Sequence, residues 1–186
     1  MVRRYSRAVA CFQTLPHLWL LSDERNDAVL ESRLRALPAG SGFVFRHYHL
    51  SPAKRVARFY ALKRICDARG HLMILADSTL TAREWGADGV YGAPRSLYPT
   101  RGDMIAIATA HDLTEIGQAY RARADAVMLS PVFPTRSHPC APTLGPQRFR
   151  HLARHARMPI IALGGMTQAN ARRLDWARWA AIDGLS

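Results

Sequence analysis

Cysteine is scarce in this chain of 186 residues. Cys11, Cys66 and Cys140 lie far apart and no two form a C-x-x-C pair. That excludes a disulfide framework and a cysteine-held zinc site, and it suits a reducing compartment. No apolar run approaches the roughly 20 residues that a membrane-spanning helix needs. The opening stretch "MVRRYSRAVACFQTLPHLWLL" imitates a secretion signal, but Gln13, Pro16 and His17 interrupt it and no small-x-small cleavage site follows. A soluble cytoplasmic protein is the expectation. No glycine-rich fingerprint follows the first apolar run, which counts against a dinucleotide-binding open sheet. Acidic residues are few, 14 against 26 Lys and Arg, leaving a net charge of +12 that is nearly all arginine. Such a charge suits an anionic small substrate. Without a recognition motif or aromatic residues interleaved among the basic ones, it does not argue for nucleic acid.

What the chain does have is repetition. Eight short apolar runs recur along it: "HLWLLSD" (17–23), "GFVFRHY" (42–48), "HLMILAD" (71–77), "ADGVYG" (87–92), "MIAIATAH" (104–111), "DAVMLSPVF" (125–133), "MPIIALGG" (158–165) and "WAAIDGLS" (179–186). Continuous rather than alternating runs mean strands covered on both faces, as in parallel sheets. The intervening segments have helical spacing. Val56, Phe59, Leu62 and Cys66 form one stripe; Leu113, Ile116, Ala119 and Tyr120 share a face behind a capping box of Asp112 and Glu115; Pro146 opens a helix whose apolar side is Phe149, Leu152 and Ala156. The segment "APRSLYPTRG" has two prolines and room for one turn at most. Eight such units without a composition break predict one (β/α)8 barrel over residues 1–186. Residues 1–16 would be an N-terminal extension, the fourth helix is missing or very short, and no final helix follows the last strand. That last omission leaves one side open or covered by a partner, a second copy being one candidate.

In such barrels the chemistry sits at the C-terminal ends of the strands. Those ends supply Asp23, Arg46, Asp77, Thr109 with His111, Ser130 with Thr135, Gly164 with Gly165, and Gly184. Arg46 and Asp77 end apolar runs where a turn former is the ordinary residue, so they are candidates to line a site. Asp23 and His111 each read as a helix cap or a surface group. Gly164-Gly165 before "MTQAN" is a strand, a close turn and a helix start, an arrangement that offers backbone N–H groups to an anion. "SPVFPTRSHP" (130–139) sends a buried strand into two hydroxyls, a guanidinium and an imidazole. Thr135, Arg136, Ser137 and His138 together suit a phosphate better than a plain turn.

The segments "SPVFPTRS", "LGPQRF" and "MPIIALGGMTQAN", with "LWLLSD", "ADGVYG" and "TAHDLTE" in the same order, resemble the thiamine-phosphate synthase/TenI superfamily over residues 17–186. The resemblance implies a reaction that joins hydroxymethylpyrimidine diphosphate to thiazole phosphate with magnesium and releases pyrophosphate. It implies pyrophosphate binding by Arg46, a magnesium ligand in Asp77, and Thr109 in place of a strand-five serine. Thr135 and Ser137 stand for two loop threonines, and Gly165 for the thiazole-phosphate site. The sequence departs from the family pattern at Val44, Tyr48, Ala76 and His138, and Arg95 or Ser96 falls where a second metal carboxylate belongs. A weak magnesium site and turnover that is low or absent, with little magnesium dependence, are therefore expected; Arg95 either replaces the lost charge or simply faces solvent in its loop. The alternative is a catalytically weakened phosphate-binding or regulatory protein. A thiazole tautomerase is a further alternative, although the histidine of that branch is here Pro131.

Overall fold

The computed structural model describes residues 15–97, 104–136 and 142–185. Eight parallel strands close into a barrel in sequence order, β1 (Leu18–Leu21), β2 (Gly42–Phe45), β3 (Leu72–Leu75), β4 (Gly89–Gly92), β5 (Ile105–Ala110), β6 (Ala126–Leu129), β7 (Ile160–Ala162) and β8 (Trp179–Ala181). The helices are α1 (Leu30–Ala36), α2 (Pro52–Arg69), α3 (Thr79–Trp85), α4 (Leu113–Arg121), α5 (Gly145–Ala153) and α6 (Gln168–Leu174). Among the described residues between β4 and β5 there is a single 3-10 turn, Pro94–Leu97, in keeping with the prolines of that segment. Among the described residues no helix is long and apolar enough to cross a membrane.

The strands read as unbroken apolar runs because each has two buried faces. One face packs under the helices: Phe43, Phe45, Met73, Leu75, Ala106 and Ala108 meet Phe59, Leu62 and Cys66 of α2 and Ile116 and Ala119 of α4. The other fills the barrel with Trp19, Leu21, Val44, Ile74, Tyr91, Ile107 and Met128. Trp19 lies opposite Gly42, and a Cβ there would come within 2.1 Å of the indole, so glycine in β2 is what admits the largest ring. Burial pushes the Cys66 thiol up to about 12, leaving it an inert apolar group.

Three local expectations are corrected. Leu15 and Pro16, assigned to an extension, belong to the barrel: Leu15 is buried with the interior cluster, and Trp19 Nε1 donates to Pro16 O at 2.8 Å. Asp112 does cap α4 by accepting from Glu115 N, but Glu115 Oε2 accepts from the His111 amide rather than from the cap's own. On the same helix Ile116 and Ala119 point inward, whereas Leu113 and Tyr120 are exposed, because nine residues present only a narrow stripe.

Candidate active site

Strand alternation decides which side chains reach the barrel mouth. Val44 and Ile107 face the interior, so Arg46 and Thr109, two residues on, continue the same inward rows. The mouth carries two adjoining clefts. One, of about 430 Å³, lies between the ends of β6, β7 and β8 and is lined by Thr135, Arg136, Gly164, Gly165, Asn170 and Gly184 among others. The second, of about 580 Å³, lies over the ends of β1 and β2, with Asp23, Arg25, Arg46 and Tyr48 in its wall. Arg136 borders both.

The first cleft exists because three glycines let loops approach closely. Val132 N donates to Leu163 O and Phe133 N to Gly164 O, at 2.9 and 3.0 Å, zipping the β6 loop onto the β7 turn. Gly164 and Gly165 adopt φ +93° and +61°, and a Cβ would meet Pro131 Cα at 2.6 Å and Pro134 O at 2.4 Å respectively. At Gly184 a Cβ would lie 2.0 Å from Met166 O. Asn170 Nδ2 donates to Gly165 O at 2.7 Å and holds the turn from behind.

The second cleft is built from charge. Arg46 Nε donates to Ser22 O at 2.8 Å and Nη2 to Asp23 Oδ2 at 2.9 Å. Among the described residues its Nη1 meets no protein acceptor. Asp23 also accepts from Arg25 Nε at 2.7 Å, and Arg25 Nη1 lies 3.4 Å from Asp183 in the first cleft. A chain of alternating charges thus links the mouths of β2, β1 and β8. Burial alone would raise the Asp23 carboxyl, but the hydrogen bonds and charges of Arg25 and Arg46 outweigh it and hold the carboxyl below its ordinary value. Beneath Arg46, buried His47 bonds Ser22 Oγ and Asp27 Oδ1, both at 2.7 Å, while Ser22 Oγ accepts from Arg46 N. Burial lowers the His47 pKa despite Asp27.

The sequence candidates therefore divide. Thr135, Arg136, Gly164, Gly165 and Gly184 come together in the first cleft and Arg46 stands in the second, while Ser137 and His138 lie outside the described residues. Thr109 is half-buried at the end of β5 and borders neither cleft. Asp77 follows β3 and lines neither cleft; its Oδ2 accepts from Arg55 Nη1 at 2.5 Å and its Oδ1 from Ser78 N at 2.7 Å. Arg95 is exposed on the 3-10 turn and lines neither cleft. Sequence reasoning missed Arg25, Asp183 and Arg55. The first two gave no signal beyond their charge, and Arg55 is hidden in a run of basic residues, Lys54, Arg55 and Arg58.

The magnesium that the resemblance implies does not fit this donor set. Asp77 has a guanidinium on one oxygen and an amide on the other, and among the described residues no three His, Cys, Asp or Glu side chains group to hold a metal ion. Magnesium demands near-octahedral oxygen ligands and gives up water reluctantly.

A family model described as thiamine monophosphate synthase matches residues 18–182. A thiamine-phosphate synthase of Chloroflexus aurantiacus is 31% identical over 166 residues, covering 86% of this chain and 74% of that protein. One from Geobacillus thermodenitrificans is 35% identical over 132 residues, covering 67% of this chain and 58% of the relative. Among solved structures, a thiamine phosphate pyrophosphorylase from Pyrococcus furiosus superimposes with a TM-score of 0.76 at 23% identity, over 91% of this chain and 86% of that one, a likeness of fold.

Proposed function

The chain belongs to the thiamine monophosphate synthase family, and from that premise we propose that its two clefts hold the two halves of a thiamine phosphate. The cleft of Thr135, Gly164, Gly165 and Gly184 takes the thiazole phosphate, with backbone N–H groups of the glycine turn and the Thr135 hydroxyl as donors. The cleft of Arg46 takes the pyrimidine diphosphate. Arg136, on the border of both, is placed to meet either anion.

In this reaction the bond between the pyrimidine methylene carbon and the bridging oxygen breaks first. Its electron pair leaves with pyrophosphate, and the lone pair of the thiazole nitrogen then forms the new carbon–nitrogen bond. What the protein must supply is stabilisation of a departing polyanion beside a transient carbocation. Arg46 is suited to that role, because two of its donors are tied to Ser22 and Asp23, which fixes the plane of the guanidinium and leaves Nη1 for the anion. The apolar residues of the upper barrel, including Leu163, exclude water that would otherwise capture the cation. The pairing of Asp77 with Arg55 favours steps that run without magnesium.

The observation that carries the reading is the union of the glycine-lined cleft with the Arg46 cleft across Arg136. Calorimetry with each precursor tests it. Both are expected to bind, with Arg46→Ala weakening the pyrimidine diphosphate and leaving the thiazole phosphate within about twofold. A hydrogen bond to a charged group is worth about 1.5–3 kcal/mol, so the loss is about tenfold or more. If neither precursor binds, the reading fails. The occupied state of Asp77 favours a second reading, a weakened phosphate-binding or regulatory protein, which binds both compounds without joining them. A cytosolic setting goes with either.

A further inference from the structure

The carboxylate on which a divalent cation would be expected already holds a positive charge, and that charge is built in. Arg55 comes from the first turns of α2 and reaches across to the ends of two strands. Its Nε donates to Arg46 O at 3.0 Å, its Nη2 to Ala76 O at 3.0 Å and its Nη1 to Asp77 Oδ2 at 2.5 Å. The guanidinium carbon lies 5.4 Å from the Trp85 ring centroid, 5.6 Å from that of Tyr48 and 5.8 Å from that of Phe45. Three acceptors in the plane and three aromatic neighbours define one position for a planar fork. The Arg55 side chain is only 12% exposed. A hydrated magnesium ion would have to expel it, break a bond to each of two strand ends and find its other ligands elsewhere. The turn after β4 offers Pro94, Arg95 and Ser96 and no carboxylate.

We propose that the guanidinium of Arg55 takes the place of a divalent cation at Asp77, so that the adjoining Arg46 cleft, whose wall residues Arg46 and Tyr48 it touches, binds pyrophosphate or a diphosphate ester without metal. Arg55 cancels the carboxylate that would otherwise repel the anion, while Arg46 and Arg136 face it. The bond from Arg55 Nε to the Arg46 carbonyl also couples the two, so the residue that neutralises Asp77 helps to hold the residue that grips the anion. A divalent cation is replaced by a side chain whose charge is independent of metal supply and, for arginine, of pH. This deepens the proposed function and rests on its assignment of the Arg46 cleft to a diphosphate.

The test is calorimetric binding of inorganic pyrophosphate to the full chain, in excess EDTA and again as the magnesium complex. Binding is expected in EDTA. Arg55→Leu is expected to weaken it about tenfold or more there, and magnesium to restore it, since the variant leaves Asp77 open to a metal. Asp77→Asn guards against a variant that fails to fold. Removing one negative charge near a polyanion is expected to raise the affinity by about threefold or more in EDTA and with magnesium alike, whereas loss of a metal ligand would leave the EDTA affinity unchanged and lower it with magnesium. Binding by the unaltered protein with magnesium alone, or unchanged binding by Arg55→Leu in EDTA, overturns the proposal and leaves the diphosphate reading standing. No binding under either condition overturns both.

Discussion

Replacing Gly165 by alanine separates the demand of a backbone angle from the demand of a close approach. At φ +61° an L-residue is penalised by roughly 1–2 kcal/mol. The new methyl would also lie 2.4 Å from Pro134 O and 2.8 Å from Phe133 Cβ. Neither can swing aside, because the loop is tied down by the bonds from Val132 N and Phe133 N to the β7 turn. Overpacking of this kind costs about 1–3 kcal/mol, so the whole effect is about 2–5 kcal/mol. Gly70 is the control: it caps α2 at φ +66°, and a Cβ there meets nothing within 4 Å. Gly70→Ala bears the angle alone, and in both variants the lower entropy of the unfolded chain offsets about 0.4–1 kcal/mol. Urea denaturation measures both, and at a slope of about 2 kcal/mol/M the Gly165 variant should lose about 0.5 M or more of midpoint. It should also bind thiazole phosphate about tenfold or more weakly, while Gly70→Ala binds normally. If Gly165→Ala proves no less stable than Gly70→Ala, the close packing of the two loops is not what shapes the first cleft.

Thr135→Ala is expected to weaken thiazole phosphate or pyrophosphate binding about tenfold or more by calorimetry, the worth of one hydrogen bond to a charged group, and unchanged affinity removes that hydroxyl from the site. Acid should destabilise the fold in two stages. His71 accepts from Ser41 N on Nδ1 and bonds Leu34 O through Nε2, so its buried neutral form is the satisfied one, and burial lowers its pKa, as it does for His47. A histidine depressed in the fold contributes stability above its unfolded value near 6.5, and that stability drains away as pH falls below it. The lowered carboxyls of Asp23, Asp27 and Asp77 lose theirs only near and below pH 4. Thermal melts from pH 8 to 5 should therefore show a decline that shrinks in His71→Gln, and an undiminished decline would exclude His71 as a source. The basic surface should retard RNA weakly and release it at physiological salt, and a salt-resistant complex with sequence preference would contradict that.

The barrel was legible because burial on two faces leaves an unmistakable mark, an apolar run such as "HLMIL" or "GFVF" with no alternation. The shortness of the described turn after β4 was legible from the prolines alone. The floor of the barrel was not, since Leu15 and Pro16 lie in no periodic pattern and are held by an indole three residues on. At the site, glycines before a helix start announce a close turn, so Gly164 and Gly165 could be found. Arg55 could not. Its function depends on a carboxylate 22 positions away and on three rings brought together by folding, and nothing local distinguishes it from its basic neighbours. In the chain the lost charge has its nearest substitute at Arg95, beside the missing ligand, whereas the fold supplies it from α2 through Arg55.

The most direct measurement is a single incubation of the full chain with hydroxymethylpyrimidine diphosphate and thiazole phosphate, in the presence of chelator, with thiamine phosphate and pyrophosphate quantified over time. The expected result is slow, equimolar formation of both products that requires the protein and falls about tenfold or more in Arg46→Ala. No product above the protein-free control, with either chelator or magnesium, would contradict the assignment and leave a binding protein in its place.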